Sequence, residues 1–349
     1  MKLTFLALSA VAIASYTNVQ GLPAIFKRII DPTKVTLVAG CFFELATLGK
    51  AFDDACNAAA AFDIGIIQSV NIKSLSIDFT GPDPLTPFLL SDDLSVVMFD
   101  INTPLTVKNA KESVTLVFNG NDVASFTSGY SDATVENGNV VSTKISKSPL
   151  TITAAHADDF GSFITSVLTQ PSFIFTAKGA LTANLKSPFK AIPGFGGVDG
   201  FGGVGGATPL LAVSGVGFES SVTMTGFNKL PGVSFVNIVD FTKDANGFTL
   251  TWNIKATNPS QLIVKPGQTT FSTLDVNNKN IGDSVIADLT LVPGDNQFKV
   301  VTTGNDATVL DDLVANGGTW TLVGTPTSNK SPYVLKGLAA LKLIVTVSA

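Results

Sequence analysis

Residue types suited to catalysis are scarce in this chain of 349 residues. His156 is its single histidine, so two histidines cannot share a metal ion or a proton-transfer step. One histidine could still activate a serine or a carboxylate, and Asp158 and Asp159 follow it closely. However, no serine stands in the Gly-x-Ser-x-Gly elbow of hydrolases, in which a strand turns into a helix. We therefore interpret His156 as a turn residue ahead of a helix and predict no catalytic residue.

Four acidic doublets could supply the paired carboxylates that glycoside hydrolysis requires. They are Asp53-Asp54, Asp92-Asp93, Asp158-Asp159 and Asp311-Asp312. Neighbouring side chains point to opposite faces of a strand and diverge by about 100° on a helix, so no doublet forms a facing pair by itself. The last two fall at predicted helices, where helix capping and the helix dipole explain them. The spacing of a calcium loop is absent as well, and we predict no metal site.

A glycine-rich stretch, "GFGGVG" at Gly200–Gly205, matches the dinucleotide-binding pattern G-x-G-x-x-G. A phosphate site needs a strand before this pattern and a helix after it, whereas more glycine precedes it and Pro209 follows. We interpret residues 191–209 as a flexible linker and predict no cofactor. The formal charge of −5 and the single arginine, Arg28, oppose binding through phosphate neutralisation, so no nucleic-acid partner is expected.

The N-terminus has the layout of a secretory signal. Lys2 precedes an apolar stretch too short to span a membrane comfortably, and small residues at positions 12 and 14 favour cleavage after residue 14 or 15, or as late as residue 21. We predict a signal peptide over residues 1–15 and a secreted or cell-surface protein; an uncleaved anchor is the alternative. Cys41 and Cys56 are the two cysteines of the chain, an even number in a protein expected to reach an oxidising compartment. They form either a disulfide or two free thiols.

Hydrophobic residues make up 45% of the chain and charged residues 14%, a composition that opposes disorder. Residues 22–61 are rich in Ala and Leu and are predicted as an N-terminal helical segment. Asn-Gly steps at 119–120, 137–138 and 246–247 then predict tight hairpins, because both residues accept the positive φ angles of a type I′ turn. The periodicity of "DDFGSFITSVL" predicts one helix, capped by Asp158 and ended by Pro171.

The order of elements repeats in the two halves of the chain. In each half, alternating strands joined by Asn- and Gly-rich turns lead to a short helix and a further strand. We predict a mainly β protein with two tandem antiparallel β-sandwich units, residues 62–190 and 210–349, each with a short packed helix. The 25 phenylalanines favour filling of a hydrophobic core, and an apolar ligand-binding cavity is the alternative interpretation.

A specific pattern lies in the second predicted unit. Its parts are an alternating run that ends at Asn258-Pro259, a strand that ends at Gly267, the step Ile281-Gly282, and the turn "LTLVPGDN" with Pro293, Gly294 and Asn296. In this pattern, the chain resembles the folded group-two late embryogenesis abundant proteins, also called the WHy superfamily. It looks most similar to their fungal secreted or membrane-anchored relatives, which are catalogued as a domain of unknown function.

The resemblance is strongest over residues 252–300. It implies a sandwich of the seven-stranded type with a helix, no catalytic residues, and roles in stress protection or in binding apolar or membrane partners. We therefore expect an exported, non-enzymatic protein that acts through its surfaces as a cell-surface, matrix or stress-associated component. The alternative is a carrier of lipid or another apolar ligand. Expected partners are apolar small molecules and membrane or cell-wall surfaces.

Overall fold

Most of the described chain is β-strand, as the alternating sequence predicts. A computed structural model describes residues 67–98, 106–136, 140–186 and 210–347. The strands are β1 (Ile67–Ile72), β2 (Leu75–Asp78), β3 (Phe88–Met98), β4 (Thr106–Phe118), β5 (Asn121–Thr127), β6 (Ser131–Asp132), β7 (Thr134–Glu136), β8 (Val140–Pro149), β9 (Thr151–Ile152), β10 (Ser172–Lys186), β11 (Leu210–Thr225), β12 (Ser234–Asp244), β13 (Gly247–Asn258), β14 (Leu262–Leu274), β15 (Asn280–Leu291), β16 (Gly294–Gly304), β17 (Gly318–Gly324) and β18 (Lys342–Val347). The helices are α1 (Ala157–Thr169), α2 (Ala307–Asn316) and α3 (Pro332–Ala340).

Several predicted features lie outside the described residues. They are the signal peptide, the helical segment 22–61 with Cys41 and Cys56, and the linker 191–209. None of the three described helices is both long and apolar enough to cross a membrane.

The strands form two sheets. In the larger sheet the order is β12-β13-β16-β15-β14-β2-β3-β8-β7, with β1 paired to β3, β17 to β14 and β18 to β17. In the smaller sheet the order is β11-β10-β4-β5-β9, with β6 paired to β4. We call β1–β11 with α1 the first half, and β12–β18 with α2 and α3 the second half. A parallel ladder between β2 and β14, which pairs Leu75 with Leu262, makes the larger sheet continuous across both halves.

In the first half, side chains of the two sheets line one cavity. Alternation along β4 turns Val114 and Leu116 inward, and both line one small cavity together with Leu94 and Val96 of β3 in the other sheet. β11 completes this arrangement, because it pairs with β10 along nearly its whole length. Residues 210–225, which open the unit predicted over 210–349, therefore extend a sheet of the first half before the chain crosses to β12.

The predicted helix after His156 is present as α1. Its apolar stripe is buried, including Phe160 and Leu168. Asp158 does not cap it, because the helix begins at Ala157, two residues earlier than an Asp158 cap requires, and His156 occupies the N-cap. Both carboxylates of the doublet Asp158-Asp159 lie instead in the first turn, where their negative charge interacts favourably with the positive end of the helix dipole.

A short helix that periodicity did not predict, α3, packs against α1. The ring of Tyr333 meets Phe160 edge to face, with ring centroids 5.1 Å apart. Gly337 allows the close crossing, since a Cβ atom there would lie 2.6 Å from Leu168 Cδ1. This contact joins the two halves at a second place, apart from the shared sheet.

Two of the three predicted Asn-Gly turns lie among the described residues. Asn119 and Gly120, with φ of 51° and 82°, join β4 to β5 and confirm the first prediction. The step at 246–247 is not the centre of its turn, because Asp244 pairs with Gly247 and the turn residues are Ala245 and Asn246. Glycine is needed at 247 for a different reason: a Cβ atom would lie 2.0 Å from the Gly304 carbonyl oxygen. The step at 137–138 falls outside the described residues.

The crossing from β11 to β12 contains three successive residues in the left-handed region. Asn228, Lys229 and Leu230 have φ of 48°, 59° and 56°, a conformation that costs non-glycine residues about 1–2 kcal/mol each. Backbone hydrogen bonds hold them in place. The Asn228 N–H donates to Gln170 O (3.1 Å) and the Lys229 N–H donates to Leu168 O (3.0 Å), so this turn caps the C-terminal carbonyls of α1.

This left-handed turn makes Lys229→Gly a stabilising substitution. The Lys229 side chain is exposed, so its loss removes little packing, while glycine adopts positive φ without strain. After the extra entropy of an unfolded glycine, we expect a gain of about 0.5–1 kcal/mol in the free energy of unfolding, measured by urea denaturation. Lys229→Ala is the matched control and should change little. A glycine variant no more stable than the alanine variant would show that the turn stores no strain.

Candidate functional site

His156 lies where the sequence indicates, in a short 3₁₀ turn (Ala154–His156) directly before α1. Its Nδ1 atom is 3.2 Å from Asp159 Oδ2, and the same oxygen accepts a hydrogen bond from Asn121 Nδ2 at 3.0 Å. These contacts fasten the turn to the start of β5. In the described part of the chain they bring no hydroxyl nucleophile to the imidazole, so the pair lacks the third member that acyl transfer needs.

The acidic doublets do not form facing carboxylate pairs where the structure describes their side chains. In α2, Asp311 pairs with Lys243 of β12, and Asp312 accepts a hydrogen bond from Asn316 Nδ2 (2.6 Å). The side chains of Asp92-Asp93 and of Asp53-Asp54 lie outside the description. Over the described ranges, no group of three or more His, Cys, Asp and Glu side chains could hold a metal ion.

Asn258 is a structural centre of the turn between β13 and β14. It is 1% exposed; its Nδ2 donates to Leu262 O (2.9 Å), and its Oδ1 accepts from the Ser260 N–H (2.9 Å). Ser260 in turn donates to the carbonyl of Thr225 at the end of β11 (2.5 Å). The exposed Pro259 sits between them. This turn therefore ties the second half to the last strand of the first half.

The remaining signature residues lie in bulges and in one further turn. Gly267 does not end its strand, because β14 continues to Leu274 through a register irregularity at this glycine. Its φ is 76°, and a Cβ atom would lie 3.0 Å from Thr80 Cγ2 of the first half. Gly282, after the buried Ile281, faces the β16 backbone so closely that a Cβ atom would lie 2.1 Å from Thr303 O.

The last three signature residues lie in the turn between β15 and β16 and at the start of β16. Asn296 is buried, and its Oδ1 accepts from the Val292 N–H (2.9 Å) while its Nδ2 donates to the carbonyls of Val292 and Gly294 (2.8 Å each). Pro293 occupies the centre of this turn, and Gly294 has a φ of 85°. The signature thus fixes turns and bulges, and it brings no reactive group to the surface.

An exposed strand at the end of the larger sheet is the best candidate for a functional surface. β12 forms a ladder with β13, and among the described strands it forms no second one, although β18 lies near it. Phe235 and Ile238 pack on the core, and the Phe235 ring stacks on Trp252 at 6.4 Å. The outward side chains include Val236, Val239 and Phe241, which are 40%, 51% and 49% exposed.

An edge strand of this kind has a defined chemistry. Its unpaired N–H and C=O groups can pair with an extended segment of another chain, and its alternate side chains select that segment. β12 carries Asp240, Lys243 and Asp244 toward one end, and Lys243 is already engaged by Asp311 of α2. The apolar side chains therefore form the free part of the strand.

Sequence reasoning missed this surface, although the sequence does contain a signal for it. The stretch "SFVNIVDF" lacks the strict alternation of a half-buried strand, because apolar residues stand at adjacent positions 235–236 and 238–239. Two register irregularities, at Phe235/Asn237 and at Ile238/Asp240, accommodate this pattern in the strand. Apolar residues on both faces of a terminal strand are typical of an interaction surface.

The cavity between the sheets of the first half is small. Its volume is about 20 Å³, which is space for roughly one water molecule. Branched aliphatic side chains and phenylalanines from both sheets line it, together with Glu112. A ligand of fatty-acid size would fit here only if the two sheets separated.

Comparison with known proteins gives one family match. A family model described as "Protein of unknown function (DUF3712)" matches residues 207–273, which include β12 and the Asn258 turn. The match confirms that the chain contains a domain of unknown function, while the resemblance to the late embryogenesis abundant proteins stays a prediction. No curated protein matches the chain.

Three solved structures show weak likenesses to the chain. A protein of unknown function from Porphyromonas gingivalis W83 is 10% identical over 82% of this chain and 100% of that one, with a TM-score of 0.16. A DUF4785 family protein from Legionella pneumophila is 11% identical over 68% and 53% of the two chains (TM-score 0.16). The exo-chitosanase of Amycolatopsis orientalis is 15% identical over 66% of this chain and 24% of that one (TM-score 0.17).

Proposed function

We propose that the chain is an exported, non-enzymatic protein that binds a cell-surface or extracellular-matrix partner through β12. The single observation that carries this proposal is the edge strand with its half-exposed Val239 and Phe241. An extended segment of the partner protein pairs with the free edge of β12, so that these two side chains become covered. The signal-like N-terminus supports the extracellular setting.

The proposed architecture behind this surface is two tandem antiparallel sandwiches. In the first half, side chains of both sheets meet around the small cavity. In the second half, Trp252 of β13 meets Trp320 of β17 edge to face, with ring centroids 5.7 Å apart. Such aromatic contacts across a core are expected where two layers of strands pack together. The rigid layers would hold β12 in place for binding.

The alternative function, a carrier of lipid or another apolar ligand, gains no support from the cavity of the first half. A ligand site usually measures about 300–1,000 Å³, whereas this cavity measures about 20 Å³. Native mass spectrometry of the purified protein tests the alternative directly: a co-purifying lipid would revive it.

Charge placed on β12 should weaken binding without unfolding the protein. We expect the double variant Val239→Lys with Phe241→Lys to bind isolated cell envelopes of the producing cells at least about tenfold more weakly, because two lysines must be desolvated where apolar area was buried. The melting temperature should not change, since both native side chains are half exposed. Retention on the envelopes is measured by sedimentation of labelled protein.

The matched control is Val314→Lys, since this valine of α2 is also exposed, at 52%, but lies outside β12. We expect it to be retained like the native protein. Equal retention of the double variant and the native protein would contradict the role of β12. Equal loss in Val314→Lys would show that only overall charge matters.

A further inference from the structure

Glu112 is an ionisable side chain on the inner face of a sheet. Alternation along β4 places it in one row with Val114 and Leu116, which face the core, and Glu112 itself is 1% exposed. Across the strands it pairs with Leu181 of β10. A carboxyl group in this position has almost no contact with solvent, so it is tolerated there only if it is hydrogen-bonded or neutral.

Ser128 supplies only part of the hydrogen bonding that an ionised carboxylate needs. The Ser128 hydroxyl donates to Glu112 Oε2 (2.5 Å), and the backbone N–H of Glu112 donates to that same hydroxyl (2.8 Å). The other carboxyl oxygen, Oε1, is buried and has no hydrogen-bond partner among the described residues. If Glu112 were ionised, its Oε1 atom would therefore be a buried, charged oxygen that accepts no hydrogen bond.

Among the described residues, no basic side chain lines the cavity beside Glu112. This cavity is lined from β1, β2, β3, β5, β8, β10 and β11 by apolar side chains such as Ile72, Leu94 and Phe218, and Glu112 is the only titratable group that the described part of the chain contributes to its lining. Burial raises the pKa of Glu112 above its ordinary value of 4.5, although the Ser128 hydroxyl and a backbone N–H partly oppose this. The neutral, protonated carboxyl is the form that this core accommodates.

We propose that Glu112 makes the packing of the two sheets in the first half sensitive to pH: the sheets hold together while its carboxyl carries a proton and loosen when that proton is lost. The inference stands on the position of Glu112 and does not depend on the proposed binding through β12. For an exported protein, it couples the stability of the first half to the pH of the medium.

The direction of the effect follows from proton linkage. Unfolded chains release the proton near pH 4.5, whereas the folded chain keeps it to a higher pH. The stabilising contribution is therefore complete below about pH 4.5, and it decreases as the pH rises toward the folded-state pKa. Asp78 acts in the opposite direction: its burial is outweighed by hydrogen bonds from Thr80 and by Lys147, which lower its pKa, so its contribution is lost only as the medium becomes strongly acidic.

Thermal melts of the full chain test this inference. Followed by circular dichroism from about pH 4.5 to about pH 8, the melting temperature of the native protein should fall by at least about 3 °C relative to Glu112→Gln. The amide keeps a similar shape without a charge, so its curve should lack this decline. Glu219→Gln, which removes an exposed carboxylate on β11, is the control and should follow the native curve.

Parallel curves for the native protein and Glu112→Gln would overturn the inference, as would an equal effect of Glu219→Gln. If the glutamine variant fails to fold, Glu112→Leu replaces it, since an apolar side chain of similar size leaves no unpaired oxygen. A leucine variant whose melting temperature declines with pH as the native one does would also overturn the inference.

Discussion

Asn258→Ala should lower the free energy of unfolding by about 2–4 kcal/mol. The substitution removes two buried hydrogen bonds, from the side-chain amide to Leu262 O and from the Ser260 N–H to the side-chain oxygen. The Leu262 carbonyl and the Ser260 N–H then lose these partners at a buried position, where water does not replace them. Because Ser260 also bonds to Thr225 of β11, the loss extends to the attachment between the two halves. Urea denaturation measures the change.

Asn253→Ala is the matched control for this experiment. Asn253 lies on the same strand, and its amide donates to Asn237 Oδ1 at the exposed surface (2.9 Å). Water can replace that partner, so we expect a cost below about 0.5 kcal/mol. If the two alanine variants unfolded at the same urea concentration, the Asn258 turn would not have the structural role described above.

Thr302→Val should cost about 2–3 kcal/mol, although it keeps the size of the side chain. The Thr302 hydroxyl accepts the indole N–H of Trp252 (2.9 Å) and shares a hydrogen bond with Ser284 (2.6 Å), which is bonded in turn to Thr273 (2.6 Å). All four side chains are fully buried. Valine removes one hydrogen-bond partner from the indole N–H of Trp252 and one from the hydroxyl of Ser284, both in the core of the second half.

Thr319→Val tests whether the cost arises from burial. The Thr319 hydroxyl pairs with that of Thr346 across β17 and β18 on the exposed face (3.1 Å). Valine suits a strand, and water can serve the remaining hydroxyl, so we expect a change within about 0.5 kcal/mol. A Thr302→Val variant as stable as Thr319→Val would mean that the buried hydroxyl chain contributes nothing.

Features set by neighbouring residues could be predicted from the sequence. Asn119-Gly120 specifies its own hairpin, and the periodicity of α1 identifies both the helix and its buried face. In each case the signal and the structure lie within about a dozen residues, because turn type and helix amphipathicity are local properties. The need for glycine at 247, by contrast, has a distant cause, the close approach of Gly247 to Gly304 of β16.

Pairings between distant residues could not be predicted in the same way. β11 returns to β10 across the stretch 187–209, and β14 pairs in parallel with β2 although almost two hundred residues separate them. Periodicity gives the buried face of a strand but not its neighbour. The exposure of β12 depends on its terminal place in that sheet order, so the edge surface emerged only from the structure.

The environment of Glu112 could be predicted only in part from the sequence. The stretch "AKESVTLVF" shows the alternation that continues from Glu112 through Val114 and Leu116 to Phe118, which places a carboxyl in an apolar row. That mismatch is visible in the sequence. The apolar lining that the described residues place around it, by contrast, depends on side chains from the opposite sheet, which only the folded arrangement brings together.

Hydrogen–deuterium exchange of β12 tests the proposed binding most directly. The protein is labelled alone and in the presence of solubilised cell envelopes, and exchange is followed for peptides that cover Ser234–Asp244. We predict that exchange in β12 slows on binding, because its free backbone N–H groups acquire partners from an added strand. The double variant Val239→Lys with Phe241→Lys should show no such change. Protection confined to other strands, with β12 exchanging as in the free protein, would contradict binding through this edge.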